Sequence, residues 1–209
     1  MQRYLLTLVL FSVSFPAMVT AQEADLTSGI LNIHGTSRPE TIQVYTKNYG
    51  TRKALNVVEV KITNDFGRVF RASFYEFQVS SIAVFALEGN DVIIYDCNIP
   101  SILSGGDHDD VIYGGPADDT LLGDGGADLL MGGPGSDVLH AGPISFPREN
   151  ILKGEEGLDK FMYNYYDAIY DGRYDDDNVN LSGSPSVFLD FFPEPDTTWA
   201  NGLMILTEY

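Results

Sequence analysis

The chain has 209 residues, with 12 Lys or Arg against 30 Asp or Glu, and a formal net charge of −18 at pH 7. Acids and bases are close to balance in residues 22–100, but between Arg71 and Arg148 there is no base among many acids. This distribution excludes nucleic acid, which is held by clustered Lys and Arg, and disfavours an anionic membrane surface. Because 44% of the residues are hydrophobic and alternate with the acids, it also argues for a folded chain over a disordered polyanion.

The first element is not part of the fold. Arg3 is followed by the apolar run "YLLTLVLFSVSFPAMV" and then "TAQE", with small residues at Val19 and Ala21. These are the charged, apolar and cleavage regions of a secretory signal peptide over residues 1–21, cut after Ala21. Pro16 breaks the run, which is short for a membrane span, and no later segment is apolar enough to make one. The expected location is secreted, extracellular or periplasmic. Cys97 is the only cysteine, so no internal disulfide is expected and the thiol reads as small and buried beside a strand.

Residues 22–85 are expected to form a strand-rich N-terminal cap. Short alternating runs, "GILNIHG", "TIQVYTK", "NVVEVKIT", "RVFRASF" and "VSSIAVFAL", are separated by the turn signals "TSRPE", "KNYG" and "NDFG". The next region, 86–162, changes period. "EGNDVII" places Gly89, Asp91 and Ile93 where a unit of nine would need them, and "YDCNIPSIL" lacks the acid but offers Ile102 for the apolar slot.

From Gly105 the sequence aligns in nines as GGDHDDVIY, GGPADDTLL, GDGGADLLM and GGPGSDVLH. Position one is Gly105, Gly114, Gly123 and Gly132; position six is Asp110, Asp119, Asp128 and Asp137; position eight is Ile112, Leu121, Leu130 and Leu139. A period of nine fits neither a helix nor a hairpin meander. Positions seven to nine suit a very short strand, and the six Gly- and Asp-rich residues before them suit a turn with φ > 0 positions. Two units make one 18-residue coil. Stacked coils would lay like strands ~4.8 Å apart in parallel sheets, with position eight inside, Asp110 over Asp128 and Asp119 over Asp137.

These units resemble the G-G-x-G-x-D-x-U-x repeat of the repeats-in-toxin, or hemolysin-type calcium-binding, family. The resemblance implies an all-β fold, a parallel β-roll or β-helix with a strand-rich N-terminal cap. It further implies Ca²⁺ held between stacked turns by position-six carboxylates and backbone carbonyls. The implied metal residues are Asp110, Asp119, Asp128 and Asp137, with Asp107 and the turn glycines Gly105, Gly114, Gly123, Gly126, Gly132 and Gly135. Asp91 and Asp159 extend the set into the degenerate flanking units. The chemistry agrees with the residues, since Ca²⁺ takes six to eight oxygen ligands and His108 and His140 lack the partners of a tetrahedral zinc site. The pattern departs from the family at His108 and Ala117 (position four), at Asp124 (position two) and at the apolar Leu122 and Met131 (position nine). Asp107, Asp109, Asp118 and Asp124 read as solvated or secondary ligands.

Downstream, "AGPISFPRENIL" carries Pro143 and Pro147 and reads as a loop or a coil without a site. "KGEEGLDKFMY" returns to the pattern with Gly154, Gly157, Asp159 and Phe161. Residues 163–209 form an acidic and aromatic C-terminal cap, in which Asp171 and Asp175–Asp177 read as a solvated loop and Phe191, Phe192 and Trp199 as packing residues.

The leading function is calcium binding by an exported β-roll that folds or is stabilised on binding, with a structural or interaction role. A cell-surface or matrix polysaccharide or protein stays open as a partner. The alternative is a calcium-dependent polysaccharide-acting enzyme or carbohydrate-binding accessory protein, but the sequence holds no G-x-S-x-G, H-E-x-x-H or triad. A pore-forming role lacks any long membrane-active segment.

Overall fold

The computed structural model describes residues 23–50, 56–142, 149–163 and 167–171, with strand segments 178–181, 187–190, 198–200 and 203–205. The expected signal peptide, Pro143, Pro147, Asp175–Asp177, Phe191 and Phe192 lie outside the described residues, as do the side chains of Asp171 and Trp199.

The β-branched and aromatic runs at the start of the described chain form antiparallel pairs. β1 (Glu23–Thr27) returns as β2 (Ile30–His34) through Ser28 and Gly29, whose φ values are 54° and 86°. This is the two-residue connection that matches strand twist. β3 (Glu40–Asn48), β4 (Asn56–Asn64) and β5 (Val69–Tyr75) make a meander. Asn64 Oδ1 closes its second turn by accepting the N–H groups of Phe66 and Arg68 at 3.1 and 2.9 Å.

The remaining strands are mostly short and pair in parallel. They are β6 (Ser81–Glu88), β7 (Val92–Asp96), β8 (Ser101–Asp107), β9 (Val111–Tyr113), β10 (Thr120–Gly125), β11 (Leu129–Pro134) and β12 (Val138–His140). β13 (Ile151–Glu156), β14 (Lys160–Tyr163), β15 (Ala168–Asp171), β16 (Asn178–Leu181) and β17 (Val187–Asp190) continue the series. β18 (Thr198–Ala200) and β19 (Leu203–Ile205) form a separate antiparallel pair. One sheet runs β1-β2-β6-β8-β10-β12-β14-β16 and the other β17-β15-β13-β11-β9-β7-β3-β4-β5. The chain thus alternates between two sheets, strand by strand, as a β-roll.

Coil length is read from the register. Thr120 stands opposite Ile102 and Val138, 18 residues away on each side, as the nonapeptide period requires. The offset is 19 before the repeats, where Val92 meets Val111, and 22 after them, where Leu129 meets Ile151. At the start Thr41 pairs with Val92 across a much longer excursion, which contains β4 and β5. Parallel stacking therefore begins at β2 and β3, inside the segment read from sequence as a cap, and runs through β15 to β17. The inserted meander hides the first coil from a search for period nine.

Two apolar ladders fill the interior. Ile33, Val84, Leu103, Leu121, Leu139 and Phe161 stack along one sheet; Ile42, Ile93, Ile112, Leu130, Leu152 and Ile169 stack along the other. All twelve have no exposed surface. Burying such a side chain contributes about 1.5–3 kcal/mol, so the ladders are the main stabilising feature. The reading of Ile102 as the inward residue is corrected: Leu103 faces Leu121, and Ile102 is 45% exposed. The coil holds Ser101 at position six, which moves the apolar slot one residue on, and in a strand one residue exchanges the faces. Cys97 is buried, and burial pushes its thiol up to about 11, which leaves it a packing group.

Candidate metal centre

Position-six side chains turn inward at both edges of the roll. Asp91, Asp110, Asp119, Asp128, Asp137 and Asp159 are each at most 2% exposed. They are stacked, and each Oδ1 accepts a backbone N–H from the coil before it. On one edge Glu40 N–H donates to Asp91 (2.7 Å), Asp91 N–H to Asp110 (2.7 Å) and Asp110 N–H to Asp128 (3.0 Å). On the other, Ser101 N–H donates to Asp119, Asp119 N–H to Asp137 and Asp137 N–H to Asp159, all at 2.8 Å.

The second oxygen is treated differently. Oδ2 of Asp91, Asp110, Asp128 and Asp137 is buried and accepts no hydrogen bond. An unsatisfied buried carboxylate oxygen is costly, and here the same cost recurs coil after coil. Burial pushes Asp110, Asp128 and Asp137 up to about 7 and Asp91 up to about 8; backbone N–H donors oppose the rise and neighbouring carboxylates add to it.

Glycines make room for these oxygens. A Cβ on Gly105, Gly123 or Gly132 would lie 2.3–2.5 Å from Oδ2 of Asp110, Asp128 or Asp137. At position four the limit is the preceding coil: the carbonyls of His108 and Ala117 lie 2.0 and 2.6 Å from where a Cβ of Gly126 and Gly135 would stand. Carbonyl oxygens and carboxylates thus lie close together inside each edge, and between Arg71 and Arg148 the sequence has no Lys or Arg to offset them. Among the described residues no three His, Cys, Asp or Glu side chains converge as a metal cluster. A cation here would draw on stacked carboxylates supplemented by main-chain oxygens, a donor set that suits calcium and not zinc.

Residues 103–142 match the model of the RTX calcium-binding nonapeptide repeat, in four copies. These turns are RTX calcium-binding repeats. Repeats of this family bind Ca²⁺. No curated protein and no solved structure matches the chain.

The RTX turns are not equivalent. His108 and Asp124 adopt φ of 88° and 64°, in the region where the repeat has glycine. In the turn 114–119 neither Gly115 nor Ala117 has such a φ. There Gly115 N–H donates to Asp119 Oδ2 at 2.8 Å, and both Ser101 N–H and the Ser101 hydroxyl donate to Oδ1. Asp119 is therefore satisfied by the chain itself, although burial still raises its pKa. Gly114 sits beside the carbonyl of Gly132, with Asp119 Oδ2 farther off.

Of the remaining expected residues, Asp107 is exposed, with Oδ1 beside Gly125. Asp109 and Asp118 accept the N–H groups of Ala127 and Ser136 at 2.9 Å, so position five ties each turn to the following coil. Asp124 accepts the Ser104 hydroxyl at 2.6 Å. His108 and His140 are occupied locally, with the Asp107 carbonyl and the Gly142 N–H.

Four members of the position-six columns escaped the sequence reading: Glu40, Ser101, Asn150 and Asp167. Each is buried and bonded in register with its column. The signal was present as a polar residue two before an inward aliphatic, as in Glu40-Thr41-Ile42 and Asn150-Ile151-Leu152. It was masked because Ser101 and Asn150 carry no acid, although they stand nine residues before Asp110 and Asp159, and because Glu40 and Asp167 fall outside the period.

Proposed function

We propose that this is an exported calcium-binding β-roll, with its calcium held by the position-six columns and its stack stabilised when calcium is bound. The observation that carries this reading is the row of buried Oδ2 atoms on Asp91, Asp110, Asp128 and Asp137 that accept no hydrogen bond. The pairs Asp91–Asp110 and Asp110–Asp128 on one edge, and Asp137–Asp159 on the other, are the sites this reading assigns, with Asp119, already satisfied by Gly115 and Ser101, the weaker partner of Asp137. Gly105, Gly114, Gly123, Gly126, Gly132 and Gly135 shape the turns around them, and Asp107 lies outside the buried columns.

Calcium supplies the positive charge that the run between Arg71 and Arg148 lacks. The chain's own part is to preorganise: backbone N–H groups fix each Oδ1, and the glycines leave Oδ2 and the turn carbonyls facing the same space. Where free calcium is low the ionised columns repel, and where it is high each occupied site adds RT ln(1 + [L]/Kd), about 2.7 kcal/mol at a hundredfold excess over Kd. In this reading residues 1–21 are a cleaved leader that takes the chain to the calcium-rich side of the membrane. The calcium coils fall within 86–162, flanked by 22–85 and 163–209, and the role outside the cytoplasm is structural or interactive. The columns lie sealed beneath the turns and do not line a groove for a polysaccharide.

A calcium titration followed by far-ultraviolet circular dichroism and calorimetry tests this. The expected result is heat of binding with a gain in strand signal or thermal stability, much reduced in a double Asp110→Asn, Asp128→Asn variant. No binding by the parent protein at millimolar calcium would overturn it.

A further inference from the structure

On one edge of the roll the ladder of aspartates is interrupted by Asn150, which is 5% exposed. Its Oδ1 does what the aspartates do, accepting the Asp128 N–H at 2.7 Å. The other arm of the side chain differs. On Asp110 and Asp128 that arm is Oδ2, buried and without a donor. On Asn150 it is Nδ2, which donates to Asp167 Oδ1 at 2.9 Å and to the Ala141 carbonyl at 3.4 Å. Asp167 Oδ1 also accepts the Asn150 backbone N–H at 3.2 Å.

We propose that the Asn150 amide stands in for a cation and ends the calcium column on this edge, so that the Asp128–Asn150–Asp167 rungs hold together without metal. The inference rests on the reading that the donorless Oδ2 atoms hold calcium. Asn and Asp have the same shape; they differ by one unit of negative charge and by whether the second arm offers N–H donors or oxygen lone pairs. In the rungs before Asn150 the second carboxylate oxygen has no internal donor to satisfy it. At Asn150 the NH₂ group supplies donors of its own, giving one hydrogen to the next coil's carboxylate and one to the Ala141 carbonyl. Ala141 occupies position one of its unit, nine residues after Gly132. The coil here is also longer, with an offset of 22 residues instead of 18, so the repeat is lost in the same coil as the charge. The calcium-dependent rungs of this edge then lie on the N-terminal side of Asn150.

The test counts bound calcium by equilibrium dialysis with isothermal titration calorimetry on the full protein and on Asn150→Asp. The variant is expected to bind one more calcium ion, to melt several degrees lower in chelator, and to regain the parent melting temperature in saturating calcium. An unchanged calcium count in a variant that folds would overturn the inference while leaving the calcium reading intact. A parent that binds no calcium would overturn both. Asn150→Ala gives a second measurement: the melting temperature in chelator should fall by roughly 5 °C with the count unchanged. Loss of one ion in Asn150→Ala would show that Asn150 is itself a ligand, and would also overturn the inference.

Discussion

Each position-six aspartate answers to two demands, one for each oxygen. Oδ1 is satisfied by a backbone N–H of the preceding coil, and Oδ2 of Asp91, Asp110, Asp128 and Asp137 has no donor and, in the proposed function, takes a cation. Asp110→Asn keeps the first role and removes the second. It should lower calcium affinity at least tenfold while leaving the melting temperature in chelator equal or higher, as calorimetry and thermal melts would show. The raised carboxyls also set a pH dependence. With folded values near 7 to 8 against an ordinary 3.8, their contribution is full below about pH 4 and is lost as pH rises through 7 to 8. Calcium-free protein should therefore melt at lower temperature at pH 8 than at pH 5. Calcium affinity should run the other way, because protons compete for the same oxygens. Strain is local as well. Leu87 is 46% exposed and held at φ 84°, so Leu87→Gly should raise stability by about 1 kcal/mol, measurable by urea denaturation.

At the scale of elements, strand and turn make separate contributions. The three-residue strands β9 and β12 would not persist alone; they are held by the twelve-residue pair of apolar ladders and by bonds between coils. Leu121→Ala opens the middle of one ladder between Leu103 and Leu139 and should cost about 2–5 kcal/mol, in calcium and in chelator alike. A turn substitution should separate the two conditions. A Cβ on Gly123 would meet Asp128 Oδ2 at 2.5 Å, so Gly123→Ala should weaken calcium binding more than it lowers stability in chelator. The turn 114–119 is the exception, since Gly115 and Ser101 already satisfy Asp119. The period of nine put Asp119 on a par with Asp110. The difference depends on backbone conformation at Gly115 and Ala117, which the spacing of residues does not specify.

For the whole molecule, charge and topology are coupled. The 30 acids against 12 bases are not spread as a solvated surface; six of the aspartates are enclosed in two columns along the edges of the stack. Removing calcium should therefore destabilise the roll as a unit. A chelator is expected to lower the melting temperature by well over 10 °C if two or more sites are filled, each contributing a few kcal/mol, and added monovalent salt should recover only part of the loss. The stack also continues beyond its recognisable repeats, with β2 and β3 supplying the first coil and β15 to β17 extending the last.

The sequence alone determined the roll, its 18-residue coil, the inward aliphatics at position eight and the stacking of Asp110 on Asp128 and Asp119 on Asp137. These follow from a local period, because alternation of strand and turn every nine residues leaves one way to bury the same side chain in each unit. The tertiary structure decided which rungs lie outside that period. Glu40, Asn150 and Asp167 join the columns across coils of 51, 22 and 17 residues, whereas Ser101 keeps the 18-residue spacing to Asp119 without an acid, and Leu103 takes the slot first read at Ile102. Their places are fixed by hydrogen bonds between coils and by inserted loops of differing length. Such partners are close in space without being regularly spaced in the chain, so only the folded stack brings them into register.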